Sequence, residues 1–128
     1  MAEGKFFRCN RCGNMVYVTK FAGGQLACCG EPMEELKPNT TEAAGEKHVP
    51  VIERGQHGNV TVKVGEVAHP MTEPHLIEWI CGVTGDRASF KYLTPAEEPV
   101  AVFGGIPEDQ PVTAYAYCNL HGLWSAQA

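Results

Sequence analysis

Val60-Thr61-Val62-Lys63-Val64 alternates apolar and polar side chains with a period of two, the pattern of a β-strand with one face toward a core. Ala88-Ser89-Phe90-Lys91-Tyr92 repeats it, with Ala88, Phe90 and Tyr92 expected on the buried side. Further β-rich runs cover 75–83, 100–103 and 112–118, and turn residues separate them at Thr84-Gly85-Asp86, Thr94-Pro95 and 104–107. No long run carries the period of an amphipathic helix. Short strands at this spacing predict a mainly β domain, an antiparallel sandwich of the immunoglobulin-like kind.

Working back toward the N-terminus, the alternation ends before Pro38-Asn39-Thr40-Thr41-Glu42-Ala43-Ala44-Gly45-Glu46, a polar run with no apolar period that reads as a linker. The expected organisation is a small domain at 1–37, a linker at 38–46 and the sandwich at 47–128. Charge divides at the same place: residues 1–37 carry a net +1 and residues 38–128 a net −6. A chain of 128 residues excludes a large multidomain enzyme, and an overall charge of −5 lacks the basic footprint of a nucleic-acid binder. No stretch approaches the ~20 apolar residues of a membrane span, and the first 20 residues lack the apolar centre of a signal peptide. The expected location is the cytoplasm, without nucleic-acid or membrane partners. Thiols stay reduced there, so six cysteines point to metal binding or catalysis rather than to disulfides.

Four of the six lie in the first quarter, as Cys9-x-x-Cys12 and the adjacent pair Cys28-Cys29. A segment of this size cannot fold on apolar burial alone and needs a metal, disulfides or a partner. Gly13 permits a tight turn that directs Cys9 and Cys12 inward, whereas two adjacent thiolates on one metal require a sharp bend, which Gly30 could relieve. Four sulfur ligands suit zinc or iron alike. With every position filled by protein, such a centre supports the fold or carries an electron and leaves no place for a reactant.

All five histidines, His48, His57, His69, His75 and His121, fall in the second part. His69 and His75 bracket one loop, and Cys118 and His121 share the spacing Cys-Asn-Leu-His at the end of an expected strand. Four imidazoles and one thiolate would suit a transition metal such as iron, with one octahedral position open. A structural zinc site closes with four ligands, so a fifth favours a redox metal. A thiolate donates electron density, which labilises a ligand bound opposite it.

Taken together, Cys9-x-x-Cys12 with Cys28-Cys29, Glu46-Lys47-His48-Val49-Pro50, His69-Pro70-Met71 with His75 and Glu78-Trp79-Ile80, and Cys118-Asn119-Leu120-His121-Gly122 resemble desulfoferrodoxin, the two-iron form of superoxide reductase. The resemblance covers essentially the whole chain. It implies a desulforedoxin-like, rubredoxin-type N-terminal domain with one iron on Cys9, Cys12, Cys28 and Cys29. It also implies a second iron in the sandwich on His48, His69, His75 and His121, with Cys118 axial. His57 matches no ligand position and reads as an exposed turn residue; Cys81 reads as a half-buried free thiol.

The activity implied is one-electron reduction of superoxide to hydrogen peroxide. Lys47 would attract the anion and help deliver a proton, and Glu46 would cover the open position of the oxidised iron. Consecutive residues in an extended chain point apart, so the loop at 44–48 is expected to move between oxidation states. The resemblance further implies a small donor such as rubredoxin and a homodimer. Two rivals come from other classes: a non-catalytic iron or zinc protein for electron transfer or structure, whose histidines would lie on the surface, and an iron oxygenase, which normally uses two histidines and a carboxylate.

Overall fold

The computed structural model describes residues 3–128, and these form two compact units, 3–37 and 38–128. In the first unit, β1 (Phe6–Arg8) pairs antiparallel with β2 (Met15–Tyr17) on one side. Ahead in the chain, β3 (Ala27–Cys28) and β4 (Glu31–Pro32) form a hairpin, and β5 (Glu34–Glu35) returns to the other side of β1. Phe6, Phe7, Cys9 and Leu36 are its buried apolar residues. Phe6 packs on Tyr17 at 5.2 Å between ring centroids, and Phe7 stacks on Phe21 at 6.4 Å. So small a core leaves the unit dependent on its cysteines for stability.

The second unit opens with α1 (Gly45–His48), one helical turn. It continues through β6 (Pro50–Arg54), β7 (Val60–Val64), β8 (Ile77–Val83), β9 (Ala88–Tyr92), β10 (Val100–Phe103), β11 (Thr113–Cys118) and β12 (Gly122–Gln127). The strands make two antiparallel sheets, ordered β10-β7-β6 and β12-β11-β8-β9, which is the sandwich expected from the alternation. Val60, Val62 and Val64 are at most 1% exposed and pack among Ile77, Ile80, Ala114, Ala116 and Cys118. Each fully buried Val or Ile contributes on the order of 1.5–3 kcal/mol, so this seam is the rigid floor on which the site is built.

Three features depart from expectation. On β9 the face predicted to be buried is not: Tyr92 is 75% exposed and Ala88 and Phe90 are only half-buried, because β9 is the edge of its sheet and pairs with β8 alone. Strands β6 and β12 carry no clean period-2 signal, since β6 starts at a proline and ends in charged residues; both are sheet edges too. The third is the backbone at 45–48, which is helical rather than extended: the Val49 N–H donates to Gly45 O at 2.8 Å, closing a helical turn. Residues 38–46 lie within the second compact unit. The Asn39 N–H donates to Leu123 O at 3.0 Å, and Asn39 Oδ1 accepts the Ser125 N–H at 3.0 Å.

Gly65 sets the height of α1 above the sandwich. A Cβ on Gly65 would lie 2.6 Å from Glu46 O, 2.9 Å from Lys47 C and 3.1 Å from His48 N, all backbone atoms. Only glycine lets the helical turn lie directly on the end of β7, where the Val67 N–H also donates to Glu46 O at 2.9 Å.

Candidate metal centres

The sulfurs of Cys9, Cys12, Cys28 and Cys29 all lie within 4.8 Å of one another, and all six cysteines of the chain are unbridged. Cys12 Sγ is 3.6 Å from Cys28 Sγ, and Cys28 Sγ is 3.9 Å from Cys29 Sγ. A tetrahedral ion with metal–sulfur bonds of ~2.3 Å separates its sulfurs by about 3.8 Å, so the set fits such an ion. The sharp bend needed by adjacent ligands falls on Cys29 itself: Cys29 (φ 53°) and Gly30 (φ 75°) are the two turn residues between β3 and β4, both left-handed as a type I′ hairpin requires.

The backbone N–H groups of Cys12 and Arg11 favour ionised Cys9 and lower its thiol to about 6. Hydrogen bonds with the sulfurs of Cys12 and Cys9 push Cys29 up to about 12. Four thiols crowded together cannot all ionise without a cation to share their charge. Asn14 N–H donates to Cys12 Sγ at 3.5 Å.

The second set draws on α1 (His48), the loop between β7 and β8 (His69 and His75), the end of β11 (Cys118) and the turn after it (His121). His48, His75, Cys118 and His121 present donors within 4.8 Å of one another. His69 joins them through its Nε2, 3.2 Å from His48 Nε2. His121 Nδ1 lies 3.2 Å from the same His48 atom and 3.9 Å from Cys118 Sγ. Backbone carbonyls decide the tautomers: His48 Nδ1 lies 2.8 Å from Ala44 O and His69 Nδ1 lies 2.7 Å from Pro70 O, so each Nδ1 carries the proton. Two Nε2 lone pairs then face each other at 3.2 Å with no hydrogen between them, an arrangement that a shared cation relieves. His75 Nε2, buried and without a hydrogen-bond partner, faces the same need. Imidazole, thiolate and this crowding fit iron.

His48 and His69 are each 3% exposed, which removes the rival in which the histidines are surface residues. Burial lowers His48 and His75 and takes His69 down to about 4, so all three are neutral, as ligands must be. The Lys47 ammonium is a further cause at His48 and His75, which puts its charge within reach of the site. Lys47 and Glu46 are both exposed on α1. Glu46 lines a groove of about 490 Å³ together with Val49, Ile52, Glu66 and Ala126. Burial pushes the Cys118 thiol up, against the backbone N–H groups of Leu120 and His121, which favour the thiolate.

The two tryptophans separate in role. Trp124 stacks on His48, with ring centroids 4.9 Å apart and planes at 29°, and its Nε1–H donates to His121 O at 3.1 Å. Trp79 packs instead on Tyr117 at 5.8 Å and Phe90 at 5.6 Å. The carbonyls of Ala44 and Pro70 carry no side-chain signal, so sequence reasoning had no means of finding them. His57 sits in an exposed turn (φ 60°), as expected. Cys81 is fully buried rather than half-buried, and desolvation raises its thiol to about 12.

A small β unit with a sulfur tetrad, followed by a β-sandwich with a histidine–cysteine site, defines a two-centre non-haem metalloprotein. The desulfoferrodoxin family model matches residues 40–127 and the desulfoferrodoxin N-terminal domain model matches residues 2–36. A desulfoferrodoxin from Syntrophotalea carbinolica is 48% identical over 99% of both chains. The crystal structure of the superoxide reductase from Treponema pallidum superposes with a TM-score of 0.78, at 36% identity, over 98% of each chain. A one-iron superoxide reductase from Giardia intestinalis covers 65% of this chain and 97% of its own, with a TM-score of 0.56 and 33% identity. The chain belongs to the desulfoferrodoxin family. Its two domains carry a four-cysteine set and a four-histidine, one-cysteine set, a complement for two iron ions.

Proposed function

We propose that this protein is a superoxide reductase, taking one electron and two protons per superoxide and releasing hydrogen peroxide. Family membership and the likeness to two solved superoxide reductases support the reaction. The observation that carries it is the pair of facing Nε2 atoms of His48 and His69, each with its other nitrogen committed to a carbonyl, beside the unpartnered Nε2 of His75.

His48, His69, His75, His121 and Cys118 would hold the catalytic iron, and Cys9, Cys12, Cys28 and Cys29 the other. Iron held there supplies the one-electron chemistry and a positive charge that draws the anion. Lys47 adds a second positive charge in a part of the chain whose formal net charge is −6. Its ammonium would orient the incoming superoxide and hydrogen-bond the reduced oxygen, helping two protons from solvent reach it at this exposed position. Ala44 O and Pro70 O hold His48 and His69 in the tautomer that keeps Nε2 available. Trp124 closes one side of His48 to water. Glu46, beside Lys47 on the same turn, would be the carboxylate that covers the site after oxidation.

The same reading assigns residues 1–37 to the electron-carrying domain, 38–46 to a linker and 47–128 to the catalytic domain. A rubredoxin-like donor, a homodimer and a cytoplasmic location belong to it as well. The first two are taken over from the resemblance to desulfoferrodoxin, and six unbridged cysteines are in keeping with a reducing compartment.

Stoichiometry tests the proposal. With a reduced donor present, one donor electron should disappear per superoxide consumed, peroxide should accumulate and no dioxygen should form. Sustained superoxide removal with dioxygen release and no donor would mean dismutation instead and would overturn the assignment.

A further inference from the structure

We infer that Asn119 is a positioning residue of the second centre, stapling the segment that carries His75 to the turn that carries Cys118. The inference rests on the five-ligand reading of that centre.

Antiparallel pairing between β8 and β11 breaks at the point where the ligands begin. Tyr117 pairs with Trp79 but Cys118 pairs with Ile77, so Glu78 is left unopposed in a bulge. Beyond the bulge regular pairing ends, and Asn119 takes over. Its backbone N–H donates to Leu76 O at 3.2 Å. Its side-chain Oδ1 accepts the Leu76 N–H at 3.0 Å, occupying the place of a ladder carbonyl, while its Nδ2 donates to Pro74 O at 3.1 Å. These bonds reach the residues on either side of His75 from the residue directly after Cys118.

His75 is held through its backbone, and Thr72 Oγ1 donates to its carbonyl at 3.1 Å. It lies in a short turn closed by Thr72, with the Thr72 N–H on His75 O at 3.0 Å and the His75 N–H on Thr72 O at 3.1 Å. Its Nε2 has no hydrogen-bond partner, in contrast to the carbonyl-locked rings of His48 and His69. The ring's place therefore depends on where its backbone is pinned, and the Asn119 amide is the side chain that pins it on both flanks. Only a side chain with both an acceptor and a donor at this length does so: Asp keeps the bond to the Leu76 N–H and loses the one to Pro74 O.

The test uses the full chain loaded with iron and reads metal binding and spectra, so it does not depend on superoxide turnover. Iron affinity of the second centre is measured by competition with a chelator, and the sulfur-to-iron absorption band of the oxidised protein is recorded for wild type, Asn119→Ala and Asn119→Asp. Loss of outer-shell support costs about 10–100-fold in metal affinity. Asn119→Ala should weaken iron at this centre by about 10-fold and move the band, with Asn119→Asp shifting both in the same direction by less. A residue that merely stabilised the fold would lower the melting temperature and leave the band in place. Affinities within twofold of wild type with an unmoved band in both variants would overturn the inference. If Asn119→Ala does not fold, Asn119→Asp decides alone by the same criterion. Wild-type protein that binds no iron at this centre would overturn the five-ligand reading itself, and the inference with it.

Discussion

The two centres of this chain are built in opposite ways. Four sulfurs come from two short turns of one small unit, Cys9 to Cys12 and Cys28 to Cys29, and three of the four residues are at least partly exposed. The histidine–cysteine set comes from three separated segments at 48, 69–75 and 118–121, and His48, His69 and Cys118 are buried. A local site needs only correct turns and a cation, which can fold the segment around itself. A site assembled from distant segments needs a rigid floor, supplied here by the valines of β7 packed on β8 and β11. The first can be closed and still useful, because an electron needs no open coordination position. The second can leave a position free because the protein, not the metal, holds its shape.

The sharpest way to break this comparison is to remove one sulfur from each centre. Cys118→Ser should abolish the reaction with superoxide and the sulfur band, a larger loss than the ~10–100-fold that outer-shell changes cost, while the second unit stays folded. Cys12→Ser should leave the prereduced second centre reactive but unfold the first unit, reducing iron from two ions per chain to one. Metal analysis with single-turnover mixing reads both; loss of reactivity in Cys12→Ser with its second iron still bound would show that the centres are not independent.

Acid should dismantle the histidine centre by a route of its own. His69 falls from an ordinary value of 6.5 to about 4 in the folded chain, and His48 and His75 are lowered as well, mainly by burial. Depressed values mean that the unfolded chain binds more protons. The stability involved is present above pH 6.5 and is lost as the pH falls through about 4. Denaturant melts of the metal-free protein between pH 8 and pH 4 should show the second unit weakening progressively over that range. A flat profile would mean that these imidazoles are solvated.

Gly65→Ala tests whether the floor positions the ligand. Its Cβ meets the backbone of Glu46, Lys47 and His48, so α1 must shift, at a cost of about 1–3 kcal/mol typical of overpacking. Iron affinity and the band of the second centre should change while the first centre keeps its spectrum. An unchanged band at the second centre would show that α1 can lift without displacing His48.

The smallest effects separate Lys47 from His57. Lys47→Ala should slow the encounter with superoxide by up to roughly 10-fold and flatten its dependence on salt. His57→Ala, at an exposed turn, should change neither the rate nor the iron content. An unaltered salt slope for Lys47→Ala would leave the metal as the source of the attracting field.

Much of this protein is legible from its sequence because the signals are local. The period of two at Val60–Val64 places a strand and its buried face, and Cys-x-x-Cys with Cys-Cys specifies a sulfur tetrad from turns that close within a few residues. The identities of the histidine ligands follow from motifs in combination. What tertiary structure alone decided depends on neighbours distant in the chain. Tyr92 is exposed because β9 is an edge, which its alternation does not reveal. The helical turn at 45–48 rests on the missing side chain of Gly65, about twenty residues further on. The tautomers of His48 and His69 are set by main-chain carbonyls, which every residue possesses and no sequence pattern marks. Side-chain chemistry can be read from the order of residues, whereas burial, carbonyl direction and the pairing of edges exist only once the chain has closed on itself.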